Sequence, residues 1–144
     1  MGRILALDVG RRRIGLAIAG GAGGAHGLGA MARRSAREDV ARLRRMAEER
    51  QVERIVVGLP LNMDGTEGEM AGEVRAFGER LSRETGIEVA YQDERLTSFE
   101  AEERMRARGM GLKRMLEAKR RGAVDEMAAV ILLEDYLERA GGAE

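Results

Sequence analysis

Arg3-Ile4-Leu5-Ala6-Leu7-Asp8-Val9-Gly10-Arg11-Arg12-Arg13-Ile14-Gly15-Leu16-Ala17-Ile18-Ala19 is the stretch that decides the fold. Ile4, Leu5, Leu7 and Val9 make an apolar run over Arg3 to Val9, and Leu16 and Ile18 continue an alternation over Ile14 to Ala19. The pattern predicts two adjacent strands joined by a basic hairpin turn. Inside the first strand, where a branched apolar side chain belongs, stands Asp8. Burying that charge is costly unless it is paired or bound to metal. Asp8 therefore either caps its own turn or serves as a ligand or catalytic group.

Working outward, Gly20 to Gly29 reads as a glycine and alanine loop around an ordinary loop histidine, His26, with a short third strand at Leu28 to Ala32. Ser35-Ala36-Arg37-Glu38 has the spacing of a capping box, opening a helix to about Arg50 that buries Val40, Leu43 and Ala47. Val52 to Gly58 is a short apolar strand of the kind buried between helices. Leu59 to Gly65 is a loop, and Thr66-Glu67-Gly68-Glu69 is a second capping box before a helix faced by Ala71, Val74, Phe77, Gly78 and Leu81. Gly86 closes that helix, and Ile87 to Gln92 is a further strand. Thr97-Ser98-Phe99-Glu100 is a third capping box, its helix ending near Gly109. Leu112 to Glu117 reads as a short helical turn, Lys119 to Gly122 as an exposed basic linker, and Val124 to Arg139 as a last helix burying Met127, Ala128, Val130 and Ile131. This order predicts an α/β domain, a small mixed sheet covered by helices, over residues 1–140, with a frayed tail at 141–144.

The 144 residues are 44% apolar and 35% charged, enough for one ordinary core under a heavily ionised surface. The lack of cysteine excludes a disulfide scaffold, a thiol nucleophile and thiolate-ligated zinc or iron-sulfur sites. No apolar run approaches the ~20 residues that span a bilayer and no charged-then-apolar leader opens the chain, so a cytoplasmic protein without membrane contact is expected. Twenty-five basic and twenty-five acidic residues cancel, but unevenly along the chain. Arg104 to Arg121 holds eight basic residues and one acid, Glu117, whereas Asp64 to Glu100 holds ten acids and four arginines. Such segregation focuses a field on one side of a small protein, or marks two solvated helix faces.

Two further carboxylates fall at element ends. Glu94 follows the Ile87 to Gln92 strand, with Asp93 competing for the same role, and Asp125 opens the last helix, where the amide dipole also stabilises it. Asp8, Glu94 and Asp125 on three elements can converge on divalent metal: Mg²⁺ prefers oxygen ligands and is commonly completed by phosphates. Two such ions activate water and stabilise the oxygen leaving phosphorus. No Walker A run or Rossmann glycine context offers another phosphate chemistry. Asn62 to Glu67 leads into helix amides, a geometry suited to phosphate or to a carboxylate cap. The arginines of Arg11 to Arg13 and of Arg104 to Arg121 either position a polyanionic backbone or face solvent. Aromatic residues, at 3%, leave little for a stacking platform.

Leu7-Asp8-Val9-Gly10-Arg11-Arg12-Arg13-Ile14-Gly15, Gly58-Leu59-Pro60-Leu61-Asn62-Met63-Asp64-Gly65-Thr66, Asp93-Glu94-Arg95-Leu96-Thr97-Ser98, and Val124-Asp125 followed by Ala128-Ala129 closely resemble the bacterial YqgF family, also called RuvX, of pre-16S ribosomal RNA nucleases. The motifs keep the family's order over essentially residues 3 to 138. The resemblance implies an RNase H-like fold, a five-stranded mixed sheet flanked by helices, similar to Holliday-junction resolvases. It puts the catalytic, metal-binding carboxylates on Asp8, Glu94 and Asp125, and the substrate loop on Gly58, Pro60, Asn62, Gly65 and Thr66. Arg13 and Arg95 fall where phosphate positioning or active-site support is expected. The Gly20 to Gly29 loop is smaller and less polar than relatives carry there. The implied function is a Mg²⁺- or Mn²⁺-dependent endonuclease in 5′-end maturation of 16S ribosomal RNA, a monomer or weak homodimer acting on precursor RNA or a pre-ribosomal particle. The alternatives are a Holliday-junction resolvase acting on branched DNA and a non-catalytic RNA-processing adaptor.

Overall fold

The opening hairpin forms as its alternation requires. In the computed structural model, which describes residues 2–20, 23–95 and 97–142, β1 (Arg3–Val9) pairs antiparallel with β2 (Arg13–Gly20), Leu7 facing Leu16 and Asp8 facing Gly15. β3 (Gly23–Ala32) continues the sheet beyond β2. It is ten residues long and not the short strand expected at Leu28 to Ala32, and His26 lies on it, paired with Ile18. Glycine disfavours strands on its own, so the segment shows little strand signal; pairing with β2 supplies the hydrogen bonds, and the register shifts between Leu16 and Ala17, where glycines accommodate the irregularity. Residues 21 and 22 of the expected loop lie outside the described residues.

β4 (Val52–Leu59) runs parallel beside β1, and β5 (Glu88–Asp93) parallel beside β4, giving a five-stranded mixed sheet of order β3-β2-β1-β4-β5. The helices are α1 (Ala36–Glu49), α2 (Glu69–Thr85), α3 (Thr97–Ala107), α4 (Leu112–Arg120) and α5 (Ala123–Gly142). Helix α5 reaches Gly142, into the segment expected to be a tail, and residues 143 and 144 lie outside the described residues.

The two faces of the sheet differ in side-chain size, and this difference places the helices. Leu5, Leu7, Val9, Ile14, Leu16, Ile18, Ile55, Val57 and Leu59 pack with Val40 and Leu43 of α1 and Val74, Phe77 and Leu81 of α2. The other face is Ala6, Ala17, Ala19 and Val56, and against it lie Ala129, Leu132 and Leu133 of α5. Small residues let a helix approach closely, as at Gly15, where a Cβ would overlap the Asp125 backbone carbonyl. On α5 the fully buried positions are Ala128, Ala129, Ile131, Leu132 and Leu133, whereas Met127 and Val130 are only partly covered.

The capping expectations divide. Ser35 Oγ accepts from the Glu38 backbone N–H at 3.1 Å, as its spacing predicts. Helix α2 instead starts after Gly68 with no side-chain cap, because the Thr66 hydroxyl donates to Asp64 and Glu67 pairs with Arg75. Thr97 is the first residue of α3, buried, with its N–H bonded to the Glu94 carbonyl at 3.0 Å. Lys119 and Arg120 belong to α4, which outlasts the expected turn because Met115 and Ala118 give it a buried face; Gly122 beyond it is buried and not an exposed linker.

Candidate active site

Alternation along β1 puts Asp8 on the same face as Ala6, the side that α5 covers, at the C-terminal end of the strand. Its cross-strand partner is Gly15, directly beneath the Asp125 backbone, so the first turn of α5 stands over the Asp8 end of the hairpin. Glu94 arrives from the opposite side. It follows β5, donates its N–H to the Leu59 carbonyl at 3.2 Å, and lays its carboxylate across Gly58, where any Cβ would overlap Oε2.

The Asp8 and Glu94 carboxyls are close enough for each to shift the other, and a hydrogen bond between two carboxyls requires a proton on one of them. Burial pushes the Glu94 carboxyl up to about 10, reinforced by the charge of Asp8, their shared bond and the charge of Asp93. Burial also raises the Asp8 carboxyl, opposed by the bond to Glu94 and helped by the charge of Asp125. The third carboxylate is near enough to be felt but is engaged elsewhere: Asp125 Oδ2 accepts from Arg13 Nε at 2.8 Å. Among the described residues no three His, Asp or Glu side chains stand in a ligating cluster. The arrangement is thus a proton-sharing pair with a third carboxylate beside it, held by Arg13.

The donor set suits a hard cation. All three groups offer oxygen, which Mg²⁺ and Mn²⁺ take, and Asp8 with Glu94 lie so close that they keep a proton where a cation would replace it. In the turn, Arg11 pairs with Glu73 of α2 at 3.0 Å, Arg12 is exposed, and only Arg13 faces the carboxylates.

The expected substrate loop is built around its own hydrogen bonds. Asn62 N–H donates to the Thr66 carbonyl and Gly65 N–H to the Asn62 carbonyl, each at 2.8 Å, and Asn62 Nδ2 donates to Thr66 Oγ1 at 3.0 Å. Asp64 accepts from both the hydroxyl and the N–H of Thr66, and these bonds hold its carboxyl below the usual range. Gly65, at φ 88°, occupies the left-handed region this turn needs. Asn62, Gly65 and Thr66 are exposed and Pro60 is half-buried, all on a loop that leaves β4 at the residue bonded to Glu94. Gly58 differs from the expectation of substrate contact: it is buried under Glu94, and it makes room for that carboxylate. Arg95 is a strut for the loop, pairing with Asp93 at 2.8 Å and donating to the Met63 carbonyl at 3.1 Å.

Sequence reasoning missed two supports. Asp39, fully buried, accepts from Arg33 Nε, Arg34 N–H and Arg42 Nη2, and Arg33 in turn donates to the Gly10 carbonyl at 3.0 Å and lies over the Phe77 ring. This clamps the turn between Asp8 and Arg13. Burial alone would raise the Asp39 carboxyl, but the Arg34 N–H and the guanidiniums of Arg42 and Arg33 outweigh it and hold it low. The only signal was an acid in the first turn of α1, which reads equally as a dipole partner. Glu126 is the second support, accepting from Gly29 N–H and filling the space over Gly27, so it ties β3 to the start of α5. Its signal was the missing side chains of Gly27 and Gly29.

The RuvX family model, described as Holliday junction resolvase, matches residues 2–139. Bacterial relatives named "Putative pre-16S rRNA nuclease" are 46% identical over 138 residues in Anaeromyxobacter dehalogenans, covering 95% of this chain and 97% of the relative, and 44% identical over 135 residues in Synechococcus elongatus, covering 93% and 87%. Among solved structures, Thermus thermophilus RuvC is similar at 17% identity with TM-score 0.52, covering 96% of each chain. The same protein in complex with a Holliday junction substrate is similar at 16% identity with TM-score 0.54, covering 91% and 90%. The fold is therefore the RNase H-like one, with the five-stranded mixed sheet. With its match running through all five strands and the carboxylate positions, this chain belongs to the RuvX family.

Proposed function

We propose that this chain is a Mg²⁺- or Mn²⁺-dependent endonuclease that hydrolyses phosphodiester bonds of precursor 16S ribosomal RNA in the cytoplasm. One arrangement carries the metal-dependent chemistry: the Asp8 and Glu94 carboxyls meet at a partly buried sheet end, where burial raises both, with the charge of Asp125 beside Asp8. The precursor RNA substrate is supported by the relatives' names. Asp8 and Glu94 would hold the cation, with Asp125 as the third carboxylate. The chemistry such an ion would supply is a bound water of lowered pKa and an offset for the charge on the oxygen leaving phosphorus.

The remaining work falls to the chain's own residues. Metal ligation requires the shared proton to leave, so Asp8 and Glu94 act as ionised oxygen donors only once it is displaced. Arg13, paired with Asp125, is the cation beside the carboxylates and would be the group to hold a phosphate there. The loop from Pro60 to Thr66, braced internally and by Arg95, presents a prearranged wall that needs little ordering when substrate arrives.

Strand-resolved cleavage of a precursor 16S RNA and of a four-way DNA junction, in one assay with Mg²⁺ or Mn²⁺, tests the reading. RNA cutting that disappears in Asp8→Asn and on chelation supports it. Selective paired cutting of the junction, the activity in the family description, overturns the RNA substrate and leaves the metal chemistry. Tight RNA binding without cleavage by folded protein overturns the enzyme and leaves an adaptor.

A further inference from the structure

Residues 108–121 form the most one-sided charge on the chain: Arg108, Lys113, Arg114, Lys119, Arg120 and Arg121 against Glu117. Helix α1, by contrast, holds four basic and four acidic residues. Five of these six cations have no ion-pair partner among the described residues, Lys119 alone bonding Glu102 at 2.7 Å. Met115 and Ala118 turn α4 inward, so Lys113 and Arg120, seven residues apart, stack on the opposite, exposed side, with Arg114 and Arg121 next to them. Cations held this close, with Glu117 the one acid among them, focus a positive potential that attracts a polyanion.

The helix ends at the site. Arg13 Nη1 donates to the Arg120 carbonyl at 3.4 Å, and Gly122, at φ 82°, packs where a Cβ would stand 3.2 Å from Arg13 Cδ and 2.7 Å from Ala30 Cβ. Arg13 is also the partner of Asp125. The basic face therefore begins beside the carboxylates and leads away along α4.

We propose that α4 is a second contact for the nucleic-acid backbone: Lys113, Arg114, Arg120 and Arg121 bind phosphates of the substrate strand away from the bond that is cut. Lys113 to Arg121 covers about 12 Å at 1.5 Å per residue, roughly three or four phosphates of a helical strand. The contact reads backbone and not bases, so it serves RNA and DNA alike and fixes where the strand lies. It rests on the nuclease reading for the direction of the strand but not for the existence of binding.

The test is binding by fluorescence anisotropy at several KCl concentrations, in an Asp8→Asn background, with a precursor 16S RNA fragment and a DNA junction as probes. Lys113→Gln with Arg114→Gln, and separately Arg120→Gln with Arg121→Gln, should each lower the slope of log affinity against log salt by about one to two, since each lost phosphate contact removes about 0.7 to 0.9. Arg44→Gln with Arg80→Gln, on the α1 and α2 face, should leave it unchanged. In cleavage, Lys113→Gln with Arg114→Gln should raise KM with kcat preserved, and Lys113→Arg with Arg114→Lys should restore KM. An unchanged slope with circular dichroism preserved refutes the contact. A loss of affinity at every salt with no change of slope also refutes it, since losing a phosphate contact must change the slope. Cleavage by the parent, with α4 variants that keep the parent's salt slope, sinks this proposal and spares the nuclease, whereas α4-dependent binding without cleavage does the reverse.

Discussion

Gly15→Ala is the smallest change that should separate the carboxylates without touching one. The added Cβ would stand over 1 Å inside the 3.0 Å closest approach that real Cβ atoms keep, and what it meets is the Asp125 carbonyl oxygen and carbon, backbone that cannot rotate away. Gly15 does not sit at positive φ, so alanine suits its own backbone and the conflict lies wholly with α5. The first turn of α5 must withdraw by about 1 Å or more, carrying Asp125 from Arg13 and from Asp8. Overpacking of this kind costs about 1–3 kcal/mol, or about 3–10 °C in Tm for a chain of this size. Misplacing a reacting group by about 1 Å costs about a hundredfold in rate. Differential scanning fluorimetry and single-turnover cleavage read the two effects. Gly24→Ala, whose Cβ meets nothing within 4 Å, is the control and should leave both within error. A Gly15→Ala protein that melts within 1 °C of the parent, or that melts low but cuts at the parent rate, would refute the claim that this glycine sets the distance from Asp125 to Asp8.

Glu94→Gln should abolish cleavage and raise the Tm of metal-free protein at pH 8. The Glu94 carboxyl is raised in the fold from 4.5 to about 10, so its contribution to stability is present below 4.5 and lost as pH rises toward 10. The gain from glutamine should therefore grow between pH 5 and pH 9, as melts in chelator would record. Asp39→Asn should cost about 2–4 kcal/mol in urea denaturation at pH 7, because it strands two guanidiniums that are only about a fifth exposed. Asp39 is held below its ordinary 3.8, so its contribution is full above that value and lost as pH falls below it; the parent should lose this increment on acidification and the variant should not. Chelation should lower the activity to that of Asp8→Asn, and metal affinity should rise with pH as the proton shared by Asp8 and Glu94 becomes easier to displace.

What the sequence made legible was whatever one strand or helix determines alone. Alternation located β1 and β2, Ser35 located the start of α1, and an acid among apolar strand residues marked Asp8. Features that arise only when two elements meet left little trace. β3 is a strand because β2 offers it a ladder, and its glycines, which argue for a loop in isolation, are what Glu126 needs to lie against it. Thr66 has the spacing of a cap, yet Asp64 two residues back competes for its hydroxyl and wins. Gly58 stands inside a loop motif and so reads as substrate contact, but its place is set by a carboxylate thirty-six positions later. Three candidate carboxylates could be marked as positions; that Asp8 and Glu94 meet while Arg13 holds Asp125 was not legible, since it depends on distances between β1, β5 and α5.

Such a site opposes the stability of the fold that carries it. Two carboxylates in contact at a partly buried strand end favour a protonated, metal-free state, and every unit of pH toward neutrality makes that state less stable. The sheet resolves the conflict by dividing labour between its faces. One face holds the large residues, Leu5, Leu7, Ile14, Ile55 and Val57 against α1 and α2, where apolar burial is greatest. The other gives up volume, with Ala6, Gly15, Ala17 and Gly58, so that α5 and Glu94 can come close enough to face Asp8. The Asp39 and Arg33 clamp joins the two, since it is rooted in the α1 side and ends on Gly10, two residues from Asp8. Enlarging the small face at Gly15 would overpack it against the α5 backbone, and at either glycine an added Cβ would push a carboxylate away from Asp8. Evolution toward greater stability should therefore be free on the α1 and α2 side and closed at Gly15 and Gly58.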